Sequence, residues 1–210
     1  MSDNKKLLVD CMNFEVSPEQ INESMKENNG KLVVSGVLQR ADAKNQNGRI
    51  YPRDVLVREA KKYTDVQIKE RRALGELDHP DSSVVNLNNV SHNVRSMGWK
   101  GDDLIGTGEV LSTPAGNILK ELFKNNIKLG ISSRGLGSVE PVNEDGFSND
   151  TVAVQDDFEL IAFDFVSNPS THGAFMSPLK EGVEKVGTRD GKCCHDCKIE
   201  NIINDIFRGE

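Results

Sequence analysis

Gly130-Ile131-Ser132-Ser133-Arg134-Gly135-Leu136-Gly137-Ser138 decides how this chain is read. Two hydroxyls and an arginine stand between glycines. They follow a helical pattern that Asn125, Asn126 and Gly130 bring to an end, and they open a strand-like run. Adjacent residues of a strand face opposite sides, so only one of Ser132 and Ser133 can serve a given site. A serine nucleophile needs a close-approaching backbone, donors for an oxyanion and a base. The glycines permit the first, and the segment's own amides can supply the second. The plainer alternative is a glycine-rich turn populated by small polar residues. Arg134 stays open between holding a water or carboxylate at such a site and forming a surface salt bridge.

Working outward, Ala73-Leu-Gly-Glu-Leu-Asp-His-Pro80 offers His79 as the base. The residue before a proline is pushed to extended geometry, which keeps His79 out of a helix. Glu76, Asp78 and Asp81 can orient it or raise its basicity, or simply keep a loop soluble. Downstream, Phe163-Asp164-Phe165 places a carboxylate in an apolar strand. Alternation puts Leu160, Ala162, Asp164 and Val166 on one face and Ile161, Phe163 and Phe165 on the other. Such a carboxylate is costly unless paired, either with a histidine, as the orienting acid of a triad, or with an arginine in a structural salt bridge. The order His, Ser, Asp suggests a serine hydrolase. The absence of a G-x-S-x-G elbow argues against the α/β-hydrolase fold.

Strand patterns cover residues 31–39, 86–99, 104–111, 131–139 and 157–166. One helix should run from Pro52 to about residue 70, with Val55, Leu56, Ala60, Tyr63 and Val66 inward. A second should start at the cap Thr113-Pro114 and bury Ile118, Leu119, Leu122 and Phe123. Residues 43–50, with Asn47-Gly48, and residues 144–149 read as loops. Strands outnumber helices and do not alternate with them. The expected class is α+β: a mostly antiparallel sheet or barrel flanked by helices.

The chain has 210 residues, 36% of them hydrophobic, a net charge of −7 and a mean hydropathy of −0.49. That suits one domain diluted by polar ends. Residues 1–30 read as a polar arm, 31–180 as the folded domain and 181–210 as a polar tail. The acidic balance argues against direct nucleic-acid binding. No apolar run reaches membrane-span length and no signal-peptide pattern opens the chain, so a soluble cytoplasmic product is expected. Of the four cysteines, Cys193, Cys194 and Cys197 crowd the tail while Cys11 stands apart, which is not a disulfide framework. Cys193-Cys-His-Asp-Cys197 lacks the second separated ligand pair of a zinc site and reads as a redox-sensitive tail. Neither a metal nor a cofactor is expected.

Taken together, Asn47-Gly-Arg-Ile-Tyr-Pro52, Ala73 to Pro80, Met97-Gly-Trp-Lys-Gly101, Gly130 to Ser138 and the Asp164 strand with its Asn168-Pro169 end carry a resemblance. They fall in order across about residues 31–178. The sequence resembles the prohead (procapsid) maturation proteases of T-even-type tailed phages, distant relatives of the herpesvirus assemblins. The resemblance implies an assemblin-like fold and a serine endopeptidase inside the immature prohead, in the host cytoplasm. Its substrates would be scaffold, core and capsid proteins, and itself, with no membrane and no direct nucleic-acid partner. A homo-oligomer stays open. Carried over, His79 is the general base, Ser132 the nucleophile and Asp164 the third member. Ser133 is the alternative nucleophile, and His172 the alternative third member because herpesvirus relatives use a second histidine. Arg134 and Gly135 would belong to the oxyanion region. Cleavage is expected after glutamate, with an aliphatic residue three positions earlier. Leu56-Val-Arg-Glu59 and Ile118-Leu-Lys-Glu121 have that form, but both lie in expected helices. Two other classes remain: a non-catalytic capsid-assembly protein on the same scaffold, and an esterase or amidase for small molecules.

Overall fold

The computed structural model describes residues 6–12, 18–80, 82–127, 129–142, 151–167 and 176–178. His172, Asp81, the Asn168-Pro169 pair, the 144–149 loop and the Cys193 to Cys197 cluster lie outside them. The elements run β1 (Lys6–Met12), α1 (Pro18–Glu27), β2 (Leu32–Arg40), β3 (Arg49–Ile50), α2 (Arg53–Tyr63), β4 (Leu74–Glu76), β5 (Val90–Lys100) and β6 (Asp103–Val110). They continue with α3 (Pro114–Lys124), β7 (Gly130–Gly137), β8 (Val139–Pro141), β9 (Val152–Val154), β10 (Glu159–Val166) and β11 (Met176–Pro178).

Three sheets result. β7 is the middle of an antiparallel β1-β7-β10 sheet. A five-stranded antiparallel sheet has the order β11-β2-β6-β5-β4. In the third, β3-β9-β8, the β3–β9 pair is parallel. The class is therefore mixed α+β with mostly antiparallel sheets and few helices. The barrel alternative fails: among the described residues no sheet closes. The first two sheets are joined by one parallel bridge, Leu77 to Phe165, and by the Asp78 amide donating to the Phe165 carbonyl at 2.7 Å. A closed barrel needs continuous ladder pairing around its circumference, and one bridge does not supply it.

The two large sheets and the helices enclose the main core. Leu32, Val34, Leu38, Val94 and Leu104 meet Ile131, Phe163 and Phe165 there, with Ala60 and Tyr63 of α2 and Leu119 and Phe123 of α3. Edge-to-face ring pairs tie the layers: Tyr63 to Phe163 with centroids 5.7 Å apart, and Phe123 to Phe165 at 5.5 Å. Gly75 lets β4 lie against β10, because a Cβ there would stand 2.0 Å from the Phe163 carbonyl oxygen and 2.3 Å from His92 Cε1.

The helices differ from expectation in two respects. The Pro52 helix is α-helical only to Tyr63 and continues as a π-helical turn, Thr64–Ile68. Widening the turn rotates the face, and Val66 is 38% exposed instead of inward. In α3 the Thr113 cap forms as expected, its Oγ1 accepting from the Gly116 amide at 3.0 Å. The inward stripe is Ala115, Gly116, Leu119 and Phe123, so Ile118 is left 55% exposed. Gly116 sets that rotation by letting the helix press onto the Leu111 and Ser91 carbonyls. Within residues 1–30, β1 pairs along β7 and α1 buries Ile21 completely.

Candidate active site

β7 carries Ser132 and Ser133 at the centre of its sheet, on opposite faces. Ser132 Oγ lies 2.5 Å from His79 Nε2. Ser133 Oγ accepts from Gln39 Nε2 of β2 at 2.8 Å, so it is bonded toward the five-stranded sheet. Gly135 fits where β7 meets the start of β10, since a Cβ there would be 2.4 Å from Phe158 Cε2 and 2.6 Å from the Glu159 carbonyl.

His79 stands just beyond β4. The Leu77–Phe165 bridge fixes the chain beside β10, and Asp78 turns it with φ +69°. The Asp78 carboxylate accepts the His79 backbone amide at 2.9 Å. Asp78 thus shapes the backbone and does not orient the ring. The ring is oriented by Asp164, whose Oδ2 lies 3.0 Å from His79 Nδ1.

Asp164 is fully buried and accepts four bonds. Its Oδ2 takes His79 Nδ1 and Arg134 Nε (2.8 Å), and its Oδ1 takes the Glu76 amide (2.9 Å) and Arg134 Nη2 (3.2 Å). Burial pushes the Asp164 carboxyl up. The His79 bond, the Arg134 charge and the Glu76 amide outweigh it and hold the carboxyl below its ordinary value. An ionised carboxylate only accepts, so Nδ1 of His79 must carry the hydrogen. In neutral imidazole that leaves the Nε2 lone pair facing the Ser132 hydroxyl.

Both partners weighed for Asp164 are therefore present together. Arg134 forms no surface salt bridge: it is 0% exposed. Two further hydrogens go to Glu76 Oε1 at 2.9 Å and to the Ser82 carbonyl at 2.7 Å, so four of its five N–H groups are bonded. The guanidinium is thus spent on the cluster, and any part it takes in an oxyanion site falls to its backbone. Glu76, expected near the imidazole, instead braces the arginine. Arg134, Glu76 and Asp164 form a buried group with one negative charge in excess, and an imidazolium at His79 would neutralise it.

Two residues of the surroundings, Gln39 and His92, escaped the sequence, while Tyr63 was expected inward as a core residue only. Gln39 is buried and joins the two sheets beneath β7. Its signal was an amide directly after the apolar pair Val37-Leu38. His92 is buried, edge-on to Phe165 at 4.6 Å, with Nδ1 2.9 Å from Ser91 Oγ. Burial lowers His92 to about 4, and the Asp164 charge and the Phe163 carbonyl oppose this only in part. Burial, then the Asp164 charge, raises the Tyr63 hydroxyl, against the Arg134 charge. Among the described residues no group of three or more His, Cys, Asp or Glu is placed to hold a metal ion.

Comparison with known proteins points the same way. Residues 12–185 match the family described as prohead core protein serine protease. The chain is similar to the prohead core protein protease of Enterobacteria phage T4, with 33% identity over 152 residues covering 70% of this chain and 68% of the relative. Its fold is similar to the structure of the bacteriophage T4 capsid assembly protease, with a TM-score of 0.66 at 25% identity, covering 79% of this chain and 99% of that one.

Proposed function

We propose, for a chain that belongs to the prohead core protein serine protease family, a serine endopeptidase that matures phage proheads by cleaving scaffold, core and capsid proteins. The observation that carries this is the continuous contact Ser132 Oγ to His79 Nε2 and His79 Nδ1 to Asp164. His79 Nε2 takes the hydroxyl proton as Ser132 Oγ attacks the scissile carbonyl carbon. Asp164, kept ionised, stabilises the imidazolium, which then gives the proton to the departing amine. Water, deprotonated by the same imidazole, hydrolyses the acyl-enzyme and frees Ser132. Backbone amides around Arg134 and Gly135 are the proposed oxyanion donors.

Ser132 is fully buried and the His79 side chain is 16% exposed. The residues covering Ser132 must draw aside before a polypeptide carbonyl can reach Oγ. Cleavage after glutamate, self-cleavage, action inside the prohead and kinship with the assemblins belong to the same reading. Glu59 and Glu121 lie within α2 and α3, and Glu59 Oε2 accepts the Leu160 amide at 3.1 Å. Self-cleavage is therefore expected outside these helices. An intact proton path favours the enzyme over a non-catalytic assembly protein.

The test is mass spectrometry of wild type and Ser132→Ala, each incubated with the phage's own scaffold protein. Cleavage by wild type that disappears in the variant supports the reading. Cleavage by both removes Ser132 from the role, and cleavage by neither removes the peptidase.

A further inference from the structure

The two most exposed large hydrophobic side chains among the described residues are Val84 (71%) and Leu87 (72%). Both stand on the loop that leaves His79-Pro80 and returns into β5. Loops normally turn polar groups outward and apolar groups inward. Here Val84 and Leu87 are exposed along with the loop's polar residues, and several of those polar groups stiffen and fasten it. The Val84 amide donates to Ser82 Oγ at 3.1 Å, the Asn88 amide to Asn86 Oδ1 at 3.1 Å and the Asn89 amide to the Asn86 carbonyl at 2.9 Å. Three further bonds tie the loop to the site. Arg134 Nη1 donates to the Ser82 carbonyl (2.7 Å), the Asn86 amide to Glu76 Oε1 (3.0 Å) and the Leu77 amide to the Asn89 carbonyl (3.0 Å). The guanidinium that holds Asp164 and the Glu76 carboxylate that braces that guanidinium therefore also seat this loop.

We propose that this loop is a substrate-binding lip, on which Val84 and Leu87 receive apolar side chains of the polypeptide near its scissile bond. The inference rests on the peptidase reading and adds a binding element to it. Reach supports this occupant. Val84 is five residues beyond His79, so the two are at most about 18 Å apart. An extended substrate of five or six residues spans about that length. Two exposed apolar side chains three residues apart on one loop mark an interaction surface, and the loop's fastenings lead to the Arg134, Glu76 and Asp164 group. The same bonds make the lip rigid before binding, so little ordering cost falls on the complex.

The experiment uses the full chain with fluorescently labelled scaffold protein of the same phage as probe. Binding is measured in the Ser132→Ala background, where the probe stays whole, with and without the pair Val84→Ser and Leu87→Ser. Losing the aliphatic contact should weaken Kd about tenfold or more. With Ser132 present, KM for the same protein should rise by more than kcat falls. Val84→Ile with Leu87→Met should restore both. Ile118→Ser, which removes an exposed apolar side chain on α3, should leave Kd unchanged. An unchanged Kd in the serine pair overturns the lip, as does an equal loss in Ile118→Ser. Unchanged Kd with a shift from dimer to monomer in sedimentation reassigns the loop to self-association. Failure of the peptidase reading shows separately: the wild type would leave the probe whole, and a fluorophosphonate would not label Ser132.

Discussion

The two faces of β7 receive adjacent serines and treat them differently. Ser132 faces a histidine whose other nitrogen is held by a buried carboxylate. Ser133 faces a glutamine, in a contact that binds two sheets. Both hydroxyls are buried and both are hydrogen-bonded, so neither burial nor bonding distinguishes them. The difference is the partner. Imidazole can accept a proton near neutral pH, and a carboxamide cannot. Hydroxyls of equal intrinsic chemistry thus become a candidate nucleophile and a structural tie through what the opposing strand or loop presents.

That contrast breaks most sharply with Ser132→Ala. Cleavage of scaffold protein should fall by about 10⁴-fold or more with the fold retained. Equal activity in this variant, read by mass spectrometry and circular dichroism, would dissolve the distinction. Next comes the brace of the Ser132 face. Arg134→Leu leaves Asp164 and Glu76 buried without their cation and should cost about 3–5 kcal/mol in urea unfolding. Arg134→Lys keeps the charge but loses the two-pronged contact with Asp164, and should fold with a reduced kcat. Wild-type kcat and stability in Arg134→Lys would show that the brace is dispensable.

His92 sharpens the comparison through pH. Its folded value is about 4, below the unfolded 6.5, so the unfolded chain binds the extra proton between those values. Its share of stability is complete above about pH 6.5 and is lost as pH falls toward 4. From pH 7.5 to 5 the loss should be about 2 kcal/mol. Asp164, with a lowered carboxyl, adds a loss of the same sign at still lower pH, through its folded value. Urea unfolding of His92→Gln should show a correspondingly flatter slope between pH 7.5 and 5, and a slope equal to wild type refutes this assignment. The smallest effect is on the other face. Ser133→Ala leaves Gln39 Nε2 buried without its acceptor, which should cost about 1–2 kcal/mol, with cleavage near wild type while the protein is folded. A larger loss of cleavage in Ser133→Ala than in Ser132→Ala would exchange the roles of the two faces.

Much of this was legible in local pattern. The Thr113-Pro114 start of α3 and the strand placement of Ser132 and Asp164 follow from caps and alternation. His79 outside helix and strand follows from Pro80. Less legible were the rotation of α3 that exposes Ile118 and the π-helical turn that exposes Val66. Both depend on which neighbour the helix is pressed against. β1 was obscured because Leu7-Leu8-Val9 is a short apolar run inside a polar stretch.

The sequence by itself determined the longer strands and helices between residues 31 and 166, the mostly antiparallel α+β class and the residue types able to form a proton path. These are properties of local propensity and of two- and three-residue periodicity. Only the tertiary structure decided which serine meets the histidine. It also decided that Arg134 and His79 share Asp164, that Glu76 braces the arginine and that the sheets stay open. Those outcomes are pairings across long sequence separations, His79 with Ser132 and Arg134 with Glu76, set by strand register and by the burial of charge that must find a partner.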